Sequence, residues 1–188
     1  MVRTLSNSGA SKGFTLVELL VVIAIISVLM GLVFPALMKG KGKADQAACG
    51  SNLRQIQISS ALYEQDYRIY PYLDENAAAF EHLQLLVDTG YGDKPKLFIC
   101  PAAKRDREAE VDDEDLFVLE ERTCSYAWTN VPRSLSSKGT KILAGDKQYG
   151  ELQHADGINI VYVGGDVKWL RAKEEQPWEE MTKGQLAK

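Results

Sequence analysis

The distribution of apolar residues divides the chain into an apolar N-terminal stretch and a more polar remainder. The nineteen residues 19–37 contain no charged side chain. At about 1.5 Å per residue they would form a helix of about 28 Å, close to the hydrocarbon thickness of a bilayer. The stretch therefore predicts a transmembrane helix. A buried core helix rarely runs this far without a polar face, and a secretory signal has a shorter apolar region with a cleavage site after it.

A second helical pattern follows in residues 44–68, where apolar and small side chains recur at intervals of three and four. This spacing predicts an amphipathic helix with one face on a sheet. The predicted face consists of Ala48, Leu53, Ile56, Ser60 or Ala61, and Tyr63 or Tyr67. Pro71 is expected to end the pattern. Together the two segments predict one long helix, half in lipid and half packed on a domain.

The remainder predicts a small antiparallel sheet. Around Gly164-Gly165, residues 158–163 and 167–169 alternate in the manner of a β-hairpin. Further strands are predicted at 96–100, 122–129 and 140–145, and short helices at 77–88, stopped by Gly90, and at 177–183. The predicted fold class is α+β: a long N-terminal helix packed on a small antiparallel sheet.

The charge balance changes the expected partners. The chain has 22 Lys and Arg against 26 Asp and Glu, a net charge of −4. Nucleic-acid binding requires a basic surface. An acidic chain therefore predicts no nucleic-acid partner.

The sequence shows little evidence of metal-binding or catalytic motifs. Residues 105–121 are rich in Asp and Glu but lack the EF-hand spacing, which predicts a solvated loop. His82 is expected on a surface or helix face and His154 near the hairpin, and no Cys/His spacing fits a structural zinc site. We predict no enzyme activity, metal or cofactor, with calcium as the alternative. Its candidate ligands are Asp156 and Asp166, then Asp112, Asp113, Asp115 and Asp146.

Glu18 stands near the start of the apolar run, where a carboxylate costs about 2.5 kcal/mol or more at a helix centre. Gly13 precedes it in "GFTLVELLVVIAII", which resembles the prepilin signature of type IV pilins and type II secretion pseudopilins. The resemblance implies cleavage by prepilin peptidase between Gly13 and Phe14, followed by N-methylation of Phe14. It also implies that the leader lies in the cytoplasm.

The same resemblance implies a role for Glu18 in subunit assembly. A charged carboxylate in an apolar bundle is tolerable when it is paired, and the methylated amine of a neighbouring subunit's Phe14 would supply the partner. The alternative is a Glu18 that reaches the water at the interface. Pro35 lies inside the run and predicts a kink in the helix, which pilin helices commonly have.

A second resemblance involves scattered patches. "CGSNLRQI" from Cys49, the Cys100-Pro101 pair and "HADGINIVYVGGDVKWL" from His154 are similar to pseudopilin-like proteins with an Asp-Gly pair after the His. Here Gly164-Gly165 replaces that pair and Asp166 replaces a second His, so the resemblance supports no metal role for the element. In an oxidising compartment the cysteines predict a Cys49–Cys100 disulfide. Cys100–Cys124 and free thiols are the alternatives.

These resemblances imply four segments: leader 1–13, transmembrane helix 14–38, amphipathic extension 39–70 and globular domain 71–188. They imply a structural subunit of a type II secretion pseudopilus or type IV pilus-like filament. Its partners would be prepilin peptidase, copies of itself, other pseudopilins, membrane lipid, an inner-membrane platform protein and an assembly ATPase.

The expected location is a single pass through the inner membrane, with the globular domain in the periplasm or in a periplasmic or surface filament. A minor pilin that displays the acidic domain for adhesion or cargo binding is the alternative. A membrane-anchored enzyme is a third hypothesis, and it lacks a catalytic constellation in the sequence.

Overall fold

The computed structural model describes residues 14–113, 116–147, 154, 156–171 and 186–187. The chain divides into two compact units, Met1–Lys41 and Gly42–Lys188. Helix α1, Leu16–Tyr67, has 52 residues and includes parts of both. This confirms the long helix predicted from the sequence. It ends before Pro71, where Arg68 adopts a φ of 65°, a left-handed backbone that cannot continue an α-helix.

The apolar part of α1 is exposed along its length. Its large hydrophobic side chains from Leu16 to Met38 are each between 44% and 78% exposed. Its most apolar window has a mean hydropathy of 2.9 and contains no buried residue. By length and composition, this helix can cross a membrane. The helix continues on both sides of Pro35, and the kink there stays a prediction.

The second unit contains one five-stranded sheet in the order β4-β3-β2-β1-β5. The strands are β1 Tyr126–Thr129, β2 Ile142–Asp146, β3 Gly157–Tyr162, β4 Val167–Arg171 and β5 Leu186–Ala187. All neighbouring pairs are antiparallel. A long helix with a small antiparallel sheet confirms the predicted α+β class.

The predicted hairpin is confirmed as β3 and β4. Gly165 adopts a φ of +86°, a conformation that favours glycine, and its N–H donates to the Tyr162 carbonyl at 2.9 Å. Helix α1 holds the turn, because Arg54 donates to the Gly165 carbonyl at 2.8 Å and Gln57 to the Val163 carbonyl at 3.1 Å. The turn therefore fixes the sheet edge against the helix.

The buried face of α1 starts at Cys49 rather than at the predicted Ala48, which is exposed. Adjacent positions on a helix differ by about 100°, since each turn has 3.6 residues. Leu53 and Ile56 are fully buried on this face, and the core that they share includes Trp128 of β1. Burying each such aliphatic side chain contributes about 1.5–3 kcal/mol.

Three local predictions need correction. Residues 96–100 are not a strand, because a 3-10 helix covers Pro95–Phe98; proline at its first position presets a helical φ. The predicted strand 122–129 is shorter, since β1 begins at Tyr126. His82 lies on a helix face, as one of its two predicted alternatives has it, but that face is fully buried and not at the surface.

Two helix predictions have different outcomes. The one at 77–88 is confirmed as α2, Ala79–Asp88, followed by Gly90 with a φ of 78°. The short terminal helix predicted at 177–183 lies outside the described residues.

Candidate functional site

Four chemically versatile side chains meet between α1 and the sheet. Cys49 lies on α1, Cys100 follows the 3-10 helix, Asp146 ends β2, and His154 forms a bridge with Gly157 at the start of β3. Each exposes 5% of its surface or less. One donor atom from each lies within 4.8 Å of the other three. We call these four residues the four-donor cluster.

Asp146 is the most heavily bonded member. Its Oδ1 accepts from the Cys49 thiol at 2.7 Å. Its Oδ2 accepts from the Asn159 backbone N–H at 2.6 Å and the Asn159 side-chain amide at 3.2 Å. Asn159 is on β3, next to β2, and its amide also donates to the Gln46 carbonyl at 3.2 Å. The carboxylate orientation is therefore set by both the sheet and the helix.

The His154 ring directs a single nitrogen into the cluster. Its Nε2 lies 3.4 Å from Cys100 Sγ and 3.5 Å from Asp146 Oδ2. The His154 ring and the Trp169 ring of β4 form a T-shaped pair, with 5.5 Å between ring centroids. Cys49 Sγ lies 3.5 Å from the Tyr126 hydroxyl.

Burial and neighbouring groups shift the proton affinities of all four residues. A hydrogen bond with Cys49 lowers the pKa of Cys100 to about 6, although burial opposes this. Burial raises the pKa of Cys49 and of Asp146. Burial alone would lower the pKa of His154, but Cys100 and Asp146 raise it. Cys100 is therefore the thiol that most readily becomes a thiolate.

This geometry differs from a catalytic Cys-His-Asp triad. In a triad the nucleophile contacts one ring nitrogen and the acid orients the histidine through the other. Here the sulfur of Cys100 and the carboxylate of Asp146 both approach Nε2. All members are also buried. Convergence of four donors on one point is instead the arrangement of a metal site.

At the start of α1, Glu18 bonds to its own helix. The Thr15 backbone N–H and the Thr15 hydroxyl both donate to Glu18 Oε2 at 2.9 Å. The Glu18 N–H donates to the Thr15 hydroxyl at 3.2 Å. This reciprocal pattern is a capping box, which satisfies backbone donors at a helix start. Glu18 thus has an intrachain role that the sequence analysis missed, although "T-L-V-E" carries its spacing.

Comparison with known proteins identifies sequences similar to the N-terminal segment. Residues 9–34 match the prokaryotic N-terminal methylation motif. Type II secretion system core protein G of Escherichia coli K12 is 43% identical over 60 residues, which are 32% of this chain and 41% of that protein.

In its N-terminal region, this chain is similar to type IV pilin-like proteins and pseudopilins.

Other proteins similar to this chain have the same name. Core protein G of Pectobacterium carotovorum subsp. carotovorum is 38% identical over 68 residues, 36% of this chain and 44% of that protein. The protein of Klebsiella pneumoniae is 40% identical over 68 residues, 36% of this chain and 49% of that protein. The chain thus spans less than half the length of each of these relatives. No solved structure matches it.

Cys49, Cys100 and Cys124 are free thiols and buried in this structure, and the Cys49–Cys100 disulfide stays a prediction. The preferred pair nevertheless shares one cluster, whereas Cys124 lies outside it. The Cys124 thiol lies 3.5 Å from the Tyr126 carbonyl. Cys49 contacts Asp146 and Cys100 contacts His154 within the cluster.

Calcium binding at the carboxylates named from the sequence stays a prediction, and only one of them belongs to the four-donor cluster. Asp156 and Asp166 are not in the cluster, and the backbone carbonyl of Asp166 accepts from the Tyr162 N–H in the hairpin. Asp146 is in it. The sequence argument against a zinc site considered only Cys and His residues close together in the chain. The members of this cluster are far apart in the sequence, so that argument does not apply to them. The available signal was the second resemblance, which includes three of its members, Cys49, Cys100 and His154.

The sites of the pilin-type motif are only partly described. Phe14 is 72% exposed and Glu18 lies in the first turn of α1. Gly13 lies outside the described residues. The cleavage and methylation of this segment stay predictions.

Proposed function

We propose that this chain is a structural subunit of a type II secretion pseudopilus or of a type IV pilus-like filament. The observation that carries the proposal is the N-terminal half of α1, whose exposed apolar side chains surround the helix behind a single carboxylate at its first turn. Such a helix needs either lipid or other apolar helices around it. The methylation motif and the similarity to core protein G support the filament interpretation.

In this proposal prepilin peptidase cuts between Gly13 and Phe14, and Phe14 is then methylated. Before assembly, the subunit resides in the inner membrane with residues 42–188 in the periplasm. A platform protein and an assembly ATPase transfer its helix from lipid into a bundle of homologous helices. Because the transfer exchanges one apolar environment for another, it does not require exposure of apolar side chains to water.

Glu18 would pair with the methylated amine of a neighbouring Phe14 during assembly. The α-amino group has an ordinary pKa near 8, so it carries a positive charge. An ion pair inside an apolar bundle is tolerable when both charges are matched. The capping bonds use Oε2, and the carboxylate still has a second oxygen to accept from an amine.

Two substitutions separate the assembly role from the capping role. Glu18→Gln removes the charge, whereas Thr15→Val removes the side-chain part of the capping box and keeps the charge. The measurement is the fraction of processed subunit in sheared filaments, with the processed fraction determined separately by mass. Ser27→Ala, which removes only a bond to the Ile23 carbonyl, is the control for substitution within the helix.

The proposal expects Glu18→Gln to be processed and membrane-bound but lost from filaments. Thr15→Val and Ser27→Ala should assemble. Equal assembly of Glu18→Gln and the unmodified chain would refute the role of Glu18. If Thr15→Val fails as completely as Glu18→Gln, capping is sufficient to explain the carboxylate.

A further inference from the structure

We propose that the four-donor cluster is a structural zinc site that fastens α1 to the sheet. The ligands would be Cys49 Sγ, Cys100 Sγ, Asp146 Oδ and His154 Nε2. This inference rests on residues 42–171 and stands apart from the proposed filament function.

The positions of the donor atoms fit a tetrahedral ion. Bonds of about 2.0–2.3 Å to zinc imply ligand–ligand separations of roughly 3.3–3.8 Å. His154 Nε2 lies 3.4 Å from Cys100 Sγ and 3.5 Å from Asp146 Oδ2. All four donors fall within 4.8 Å of one another. Cys49 Sγ and Asp146 Oδ1, now 2.7 Å apart in a hydrogen bond, would lose the shared proton and separate by about 1 Å to complete the coordination shell.

The chemistry of the donors selects the metal. Two thiols, one imidazole and one carboxylate match the ligands that zinc takes in proteins. Calcium and magnesium prefer shells of oxygen ligands, and this cluster offers a single carboxylate. Four protein ligands also close the shell, which is typical of structural rather than catalytic zinc sites.

Outer partners orient the ligands as metal sites require. Asn159 holds the Asp146 carboxylate through two hydrogen bonds to Oδ2, which leaves Oδ1 directed toward Cys49. The Tyr126 hydroxyl lies beside Cys49 Sγ. Such outer contacts fix ligand geometry and strongly influence affinity.

The burial of the four-donor cluster is an independent argument that it binds a cation. A carboxylate, an imidazole and two thiols are enclosed together at 5% exposure or less, and burying polar groups costs free energy unless they are matched. A divalent cation would neutralise two of the three negative charges that the carboxylate and the two thiolates would carry. Because the ligands come from α1, the segment after the 3-10 helix, β2 and the start of β3, the free energy of binding would also stabilise the fold.

The test uses the full-length, untagged chain, purified in detergent under reducing conditions without chelator. Elemental analysis should find about one zinc per chain, and removal by chelator followed by added Zn²⁺ should restore it. Co²⁺ in place of Zn²⁺ should give thiolate charge-transfer absorption and the d–d bands of a tetrahedral ion. Added Ca²⁺ should not compete.

Two cysteine variants test whether the metal is bound by the cluster. Cys100→Ser removes a ligand, and Cys124→Ser removes a buried cysteine outside the cluster. Cys100→Ser should weaken zinc binding by more than the roughly 10–100-fold typical of losing an outer partner, while Cys124→Ser should bind as the unmodified chain does. If Cys100→Ser fails to fold, the Co²⁺ spectrum of the unmodified chain still decides whether thiolates bind the metal in a tetrahedral shell.

Two results would overturn the site. One is a folded, reduced chain that takes up neither Zn²⁺ nor Co²⁺. The other is a Cys49–Cys100 disulfide in protein isolated from its own compartment, detected by peptide mapping without reduction. A Co²⁺ spectrum without thiolate bands would equally reject these ligands.

Discussion

The Cys49 thiol donates a hydrogen bond of 2.7 Å to Asp146 Oδ1 although the two residues are 97 positions apart in the sequence. One belongs to α1 and the other ends β2. This contact places the four-donor cluster where the helix lies on the sheet. Changes around the cluster should therefore affect stability as well as metal binding.

Asn159→Ala should destabilise the fold and weaken zinc binding together. The substitution removes the side-chain bonds to Asp146 and to the Gln46 carbonyl, a loss of about 1–3 kcal/mol for buried polar groups. We expect a lower Tm and zinc affinity reduced by roughly 10–100-fold. Gln55→Ala, an exposed amide on α1, is the control. A lower Tm with unchanged zinc affinity would show that Asn159 acts on the fold alone.

Gly157→Ala and Gly42→Ala should have opposite effects. A Cβ at Gly157 would lie 2.0 Å from the Leu170 carbonyl oxygen, so β3 and β4 must separate, at a cost of about 1–3 kcal/mol or more. Gly42 is in α1 with nothing within 4 Å of an added Cβ, and alanine there should stabilise the helix by roughly 0.5–1 kcal/mol. Chemical denaturation measures both. A neutral Gly157→Ala would contradict the described register of β3 and β4.

His82 should make the fold less stable in acid. Burial lowers its pKa, although Asp74 and Glu81 oppose the shift. Its Nδ1 accepts from the Leu73 N–H at 3.0 Å, and its ring stacks on Tyr72. Between the lowered pKa and the ordinary value near 6.5 the unfolded chain binds more protons, so stability falls as the pH decreases through that window.

The check on His82 is a comparison of pH profiles. His82→Asn can still accept from Leu73 but does not titrate, so its free energy of unfolding should fall less steeply with acid. One group can contribute a slope of at most about 1.4 kcal/mol per pH unit. Parallel profiles for the two chains would exclude His82 as the source.

Cys124 should be chemically inert in the folded chain. It is fully buried, and burial raises the pKa of its thiol to about 11. Only the thiolate reacts readily with alkylating reagents. Iodoacetamide at pH 8 should leave Cys124 unmodified in the native protein and modify it after denaturation, as peptide mapping would show. Equal labelling in both states would mean that the segment around β1 opens readily.

Local patterns in the sequence predicted much of the fold. The long helix, α2 and the hairpin around Gly165 follow from periodicity and turn residues, which act over a few positions. The strand predicted at 96–100 was wrong, because a short apolar run resembles a strand when the proline that precedes it is not taken into account. The predicted buried face of α1 began at Ala48 instead of Cys49, because only side-chain packing distinguishes adjacent small residues on a helix.

The cluster could not be assembled from the sequence. Its members come from four separate segments, and no local spacing relates Cys49, Cys100 and His154. Asp146 is one carboxylate among 26 acidic residues, and only the pairing of β2 with β3 places it beside Asn159. The pilin-type motif was recognisable because its chemistry lies in consecutive residues.

The most direct measurement is the intact mass and N-terminal sequence of the protein recovered from membranes of cells with an active prepilin peptidase. A chain that begins at methylated Phe14 is the result that the proposed function predicts. A chain that still begins at Met1 would contradict it, and α1 would then serve only as a membrane anchor.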